Sequence, residues 1–311
     1  MLSAVVAGAP VYLEATKPKC CRGLNGPFYS FLVSFRYKQN YCSQFGYNPS
    51  FRTCFKTFCK GNEVPHQRGF SRGFSALQED SPWESGDVWS ILAFYMFILH
   101  IPFSFGGLSV VALLTGQPQL DPPTEILSLL TIQILEFTGT LLLLKYTAKP
   151  QYKFTQFFKN NKLVENRNWF LVSALGFGIL VLLVFLTSLA ADRLFGPKPV
   201  NNPLVKEILL SGDVSKVACI LVYCIATPIL EEVIYRRFLL TSLSSTMDWQ
   251  QALVISSLIF SAAHFSAENF PQLFIIGCVL GSTYCWTANL NSSILIHSLY
   301  NALTLIITYF Y

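Results

Sequence analysis

The run FLVSALGFGILVLLVFLTSLA, residues 170–190, holds 21 residues without a single charge. About 20 such residues cross the hydrocarbon core of a bilayer, so this segment reads as a membrane helix. Working outward, comparable apolar runs fall at about 88–114, 124–146, 168–190, 214–243, 250–266, 270–288 and 292–311, with none before residue 87. The whole chain is 52% hydrophobic and 13% charged, where a soluble domain carries about 25% charged residues. The expected class is an all-α, polytopic transmembrane helix bundle of about six to eight spans, preceded by a disordered N-terminal leader. Pro102 with Gly106-Gly107 predicts a kink in the first span, and Pro228 predicts a broken or tilted fourth span.

Charge divides the chain. Residues 1–75 hold ten Lys/Arg against Glu14 and Glu63, a net +8, while residues 76–311 hold twelve against fifteen acids, a net −3. The leader is poor in acids, dotted with Arg and Ser (Arg22, Arg36, Arg52, Arg68, Arg72; Ser30, Ser34, Ser43, Ser50), and broken by Gly and Pro. That is the composition of an organelle transit peptide, and the lack of a sustained Arg-rich amphipathic helix favours chloroplast over mitochondrion. A disordered cytosolic tail is the plainer alternative. The expected organisation is 1–75 transit peptide, 76–213 N-terminal transmembrane helices and 214–311 a C-terminal set of helices, for which the resemblance given below implies the catalytic role. With neither finger spacing nor heptads in the basic leader, nucleic-acid binding is set aside.

The connection between the second and third spans carries Lys145, Lys149, Lys153, Lys159, Lys162 and Arg167 against Glu165, so it is expected on the cytosol-like (stromal) face. Five of nine cysteines (Cys20, Cys21, Cys42, Cys54, Cys59) lie in the leader. Cys219, Cys224, Cys278 and Cys285 lack C-x-x-C spacing and read as apolar packing residues. The Asn291-Ser292-Ser293 acceptor pattern at a helix mouth carries no weight.

An ionisable residue inside a membrane is a functional-site hypothesis by default, and this chain concentrates them in its last third. Glu232 and Arg236 stand i, i+4 with the acid first, the favourable order for an ion pair, which leaves Glu231, turned about 100° away, free to act as a general base. His297 and Asn301 share one face of the last helix, where imidazole and carboxamide N–H groups can form an oxyanion hole. Phe260 and His264 pair in the same way, His264 to orient water and Phe260, with Tyr235, to shape the substrate pocket. Glu136 reads as a lone helix-contact acid, and Arg237 as a residue reaching for the interface.

The three motifs, Glu231-Glu232-x-x-x-Arg236, Phe260-x-x-x-His264 and His297-x-x-x-Asn301, resemble the signature of the CPBP (CAAX protease and bacteriocin-processing, or Abi) intramembrane proteases, similar to the type II CAAX prenyl endopeptidase. The resemblance covers about residues 214–308 and includes Pro228; it departs at Arg237, where the family usually has a small residue. It implies an intramembrane endopeptidase acting on membrane-associated protein or peptide substrates, in which Glu231 and His264 activate water and His297 and Asn301 stabilise the oxyanion. The family's prenylated substrates are not carried over to a plastid protein.

Glu231, His264 and His297 could also present a carboxylate and two imidazoles to Zn2+, though no H-E-x-x-H is present; a metal-free glutamate mechanism uses the same residues. Two other functions compete. A membrane scaffold that binds and stabilises other organelle membrane proteins would keep working without these side chains. A proton- or metal-handling transporter is suggested by the intramembrane acids and histidines, but no duplicated halves support it.

Overall fold

The computed structural model describes residues 74–77, 81–152, 167–196 and 202–310. The leader to residue 73, residues 153–166 of the Lys-rich connection and residues 78–80 lie outside them, and with them most of the transit-peptide and orientation expectations. Among the described residues there are eight helices and no strand: α1 (Val88–Thr115), α2 (Pro122–Thr147), α3 (Trp169–Phe195), α4 (Pro203–Leu210), α5 (Asp213–Ser244), α6 (Trp249–Ala262), α7 (Phe270–Thr287) and α8 (Leu290–Phe310). The all-α membrane-helix class expected from sequence is thus the class observed.

Local chemistry fixes several helix starts. Asp121 accepts a hydrogen bond from the Thr124 backbone N–H just before Pro122 opens α2. Asn168 caps α3 in the same way, and Asn202 caps α4 ahead of Pro203. Each combines a short polar cap with a free first turn, or a proline where no N–H partner is needed.

Five helices, α1, α2, α3, α5 and α8, are long and apolar enough to cross a membrane. The runs expected at 250–266 and 270–288 are also helical, as α6 and α7, but α6 has 14 residues, a rise of about 21 Å, short of the ~30 Å core. The distribution of polarity is inverted relative to a soluble protein. Phe97, Leu113, Leu114, Phe170, Leu182 and Phe185 are exposed, whereas Glu136, Glu231, Glu232, Arg236, His264, His297 and Asn301 are buried. Outward apolar side chains suit lipid, and inward ionisable groups must find one another.

α6 packs on α7, α7 and α8 pack on α3, and α8 lies against α5, whose first half α2 also covers. Two helices carry π-helical stretches: Tyr95–His100 and Pro102–Gly106 in α1, Ile220–Ala226 and Val233–Leu240 in α5. Pro102 and Pro228 each follow such a stretch closely. A proline lacks the N–H and its ring crowds the carbonyl four residues back, and widening the preceding turn relieves that crowding. The breaks expected at these prolines are therefore taken up as π turns within continuous helices.

The segment before α1 is tied to the bundle. Trp83 is buried, donates to the Leu144 carbonyl and meets Phe238 edge-on. Phe74, grouped with the leader by composition, stacks on Trp249 and contacts Trp286, while Arg167 donates to the carbonyls of Phe74 and Trp286. Cys219, Cys224 and Cys285 are buried, Cys278 is half-buried, and all four are free thiols, in keeping with a packing role.

Close helix approach depends on Gly277. A Cβ there would stand 3.0 Å from the Ser257 Cβ and 3.1 Å from its Cα, so backbone would have to move. At Gly281 the obstacle is the mobile end of Leu253. Gly277→Ala is expected to destabilise the protein by about 1–3 kcal/mol and Gly281→Ala by less, read as melting in detergent; equal melting of the two would contradict this account of the α6–α7 contact.

Candidate active site

Three elements bring the site together. α5 supplies Glu231, Glu232, Tyr235 and Arg236; the end of α6 and its following turn supply Phe260 and His264; α8 supplies His297 and Asn301. The turn after α6 closes through hydrogen bonds from His264 N to Ser261 O and Phe265 N to Ala262 O, and Phe265 then takes a left-handed backbone at φ 49°. That conformation is uncommon for a bulky residue; here it ends the helix directly after His264 and sends Phe265 outward against Phe105.

Glu232 is the structural centre. It is fully buried; its Oε1 lies 2.9 Å from His297 Nδ1 and its Oε2 lies 3.3 Å from Arg236 Nε. Arg236 also donates to the Gly277 carbonyl and stacks 4.4 Å over the Phe260 ring. The ion pair expected from i, i+4 spacing is present, with a histidine as third member. Phe260, itself fully buried, touches Tyr235, His264 and His297 edge-on, so it forms the packed floor on which the polar groups stand.

Glu231 is buried but less committed. Its Oε1 is 3.7 Å from His264 Nε2, its Oε2 is 3.7 Å from His297 Nε2, and Oε2 has no hydrogen-bond partner. These separations exceed hydrogen-bond length. The tautomers explain why. His264 Nδ1 faces the Phe260 carbonyl at 2.7 Å, and a carbonyl only accepts, so Nδ1 carries the proton and Nε2 of the neutral ring presents a lone pair. Two acceptors, Glu231 and His264, thus face one gap, which a water molecule donating to both can bridge.

Asn301 is buried on the same helix as His297, but its amide N–H donates to the Tyr223 carbonyl at 2.7 Å, within the π stretch Ile220–Ala226, and its Oδ1 has no partner. The Tyr235 hydroxyl is likewise buried without a partner. Arg237 is half-buried and donates to the Tyr284 hydroxyl. Metal ligation can be tested on the donor set. Both histidines give up Nδ1 to an acceptor, the usual orientation of a ligating ring. Yet among the described residues no group of three or more His, Cys, Asp or Glu side chains stands where it could hold a metal ion.

One part of the interior was not legible from motif spacing. Glu136 is no lone acid: its Oε1 accepts from the Tyr95 hydroxyl at 3.1 Å and meets His100 Nδ1 at 2.9 Å. Tyr95 and His100 lie five apart, on different faces of an α-helix, but the π stretch that joins them stacks their rings 5.5 Å apart. Two ionisable residues in neighbouring apolar runs were the available signal.

The division between the two glutamates yields a stability test. Glu232→Ala strands the buried Arg236 and His297 and is expected to cost about 3–5 kcal/mol. Glu231→Ala is expected to stay within about 1 kcal/mol. Detergent melts of the two variants, alike within error, would remove the distinction.

Residues 213–303 match the family model described as type II CAAX prenyl endopeptidase Rce1-like. The chain is 27% identical over 138 residues to the membrane-embedded CAAX protease MroQ of Staphylococcus aureus (strain USA300), a match covering 42% of this chain and 55% of that protein. The match thus spans about half the length of the curated relative. No solved structure matches the chain. The resemblance drawn from the three motifs is thus also found by comparison: residues 213–303, which hold Glu231, Glu232, Arg236, His264, His297 and Asn301, are similar to the Rce1-like type II CAAX prenyl endopeptidases.

Proposed function

We propose that the protein is an intramembrane endopeptidase that hydrolyses peptide bonds of membrane-associated protein substrates. The observation that carries this reading is the buried Glu231 carboxylate with an uncommitted oxygen, set 3.7 Å from the Nε2 atoms of both His264 and His297. The match of this segment to CAAX prenyl endopeptidases supports the same class of reaction.

In this mechanism a water sits between Glu231 and His264. Glu231 takes a proton as the water oxygen attacks the scissile carbonyl, and His264 orients the second hydrogen through its Nε2 lone pair. Negative charge then collects on the carbonyl oxygen. Glu232, already bonded to His297 Nδ1, stabilises a doubly protonated ring, whose Nε2–H donates to that oxyanion. Asn301 keeps a second N–H on the amide nitrogen held by Tyr223, available to the same oxygen. Collapse returns the proton from Glu231 to the leaving amine, giving one new carboxylate and one new amine terminus.

Tyr235 and Phe260 wall the substrate side in this reading, and the lipid bilayer delivers the substrate. The acid-poor, Arg- and Ser-dotted leader supports a chloroplast membrane as the location.

The test is mass spectrometry of new peptide termini after the reconstituted full-length protein meets organelle membrane proteins, with and without a chelator. Glu231→Gln is expected to lower the yield of new termini by about 100-fold or more. Asn301→Ala is expected to lower the turnover rate about 100- to 1000-fold with binding little changed. A folded wild-type protein whose products are unaffected by Glu231→Gln would replace this reading with the scaffold. Loss of cleavage on chelation, restored by Zn2+, would replace the metal-free route.

A further inference from the structure

The turn of α5 that presents Glu231 is held partly by side chains from other helices. Thr227–Glu232 is a six-residue piece of α winding between two π stretches, Ile220–Ala226 and Val233–Leu240. In π winding a carbonyl accepts from the N–H five residues on, as Val222 does from Thr227. For the Tyr223 carbonyl that residue is Pro228, which has no N–H to give. The Asn301 amide takes the vacant place from α8, at 2.7 Å.

A second contact of this kind comes from α2. The Thr227 hydroxyl donates to the Gln133 side-chain carbonyl at 2.7 Å, and both residues are buried. Thr227 and Glu231 stand four apart in α winding, so they share a face and are separated by one turn. On α2, Gln133 belongs to a buried polar stripe with Glu136 and Thr140, while the other buried residues of that helix are Ile and Leu. Glu136 ties the stripe to α1 through Tyr95 and His100; Gln133 ties it to α5. A buried carboxamide is costly unless it is hydrogen-bonded, and the partner of this one stands a single turn from the candidate base.

We propose that Gln133 is a positioning residue of the candidate active site: through the Thr227 hydroxyl it fixes the turn of α5 that holds Glu231 between His264 and His297. The second helix thereby takes part in the site, although it lies outside the segment that matches the endopeptidase family. Its effect on rate rests on the hydrolytic reading; its effect on where Glu231 stands does not.

The test breaks the bond from either side with substitutions of similar shape, Gln133→Leu and Thr227→Val, in the full-length protein in lipid nanodiscs. Misplacing a reacting group by about 1 Å can cost ~100-fold in rate. On the peptides identified above, each variant is expected to lower kcat about 10- to 100-fold with KM unchanged, as for lost alignment rather than lost substrate contacts. Thr227→Ser keeps the hydroxyl and is expected to recover the rate that Thr227→Val loses. A second readout needs no turnover. Glu231 stands 3.7 Å from the Nε2 atoms of His264 and His297, so the nitrogen signals of these two rings report its displacement. The chain has four histidines, His66, His100, His264 and His297, few enough to assign by single substitutions. The His264 and His297 signals are expected to shift in Gln133→Leu and Thr227→Val and to return in Thr227→Ser, while His66 stays in place. A folded Gln133→Leu protein with wild-type kcat and unmoved His264 and His297 signals would reduce the bond to a contact between helices and overturn the proposal. If the wild type yields no Glu231-dependent termini, the hydrolytic reading fails by itself, and the two ring signals still decide whether Gln133 governs the placement of Glu231.

Discussion

The interior is organised by one carboxylate with no access to water. Glu232 binds Arg236 through one oxygen and His297 through the other, so a single buried charge joins two turns of α5 to the middle of α8. Desolvation makes that charge tolerable only while both partners stay in place. Arg236 extends the constraint to α7 through the Gly277 carbonyl and to α6 through the face of Phe260. The requirement of Glu232 for company therefore sets how four helices meet, and the neighbouring Glu231 inherits a fixed position without having to bind anything strongly itself.

A carboxylate that is held but not satisfied is suited to act on a third party. Glu231 faces two imidazole nitrogens at a distance too long for direct bonding, and the His264 proton is committed elsewhere, to Phe260. In the proposed mechanism, reactive and structural duties are thus divided between adjacent residues, about 100° apart on one helix. The surrounding lipid-facing side chains contribute by keeping the polar groups in a medium where such charges interact strongly.

The fold class was legible because membrane spans announce themselves by length and composition, and residues 170–190 needed no further context. The ion pair of Glu232 with Arg236 and the approach of Phe260 to His264 were legible because both follow α-helical spacing. The hydrogen bond from His297 to Glu232 was not, since nothing in the chain says which of two distant helices meet at which level. The grouping of Tyr95, His100 and Glu136 was hidden more deeply. Its first two members share a face only in a π turn, so reading the run at 3.6 residues per turn pointed them apart. Asn301 shows the same limit: its partner is a carbonyl in a π stretch, a group that regular α-helix would have occupied.

The π stretches also decide which changes in the gene this segment can absorb. Each holds more residues per turn than an α-helix, and the α-helical winding of Thr227–Glu232 lies between two of them, so deleting one residue from 227–230 would rotate the chain on one side of the cut by about 100° relative to the other. Glu232 would then turn toward the place of Glu231, and its pairing with Arg236 would survive while its pairing with His297 would not. Side chains along α5 can therefore drift one at a time, whereas its length is locked to the residue, and homologous chains that keep the glutamates should keep the number of residues between these turns even where little else is shared.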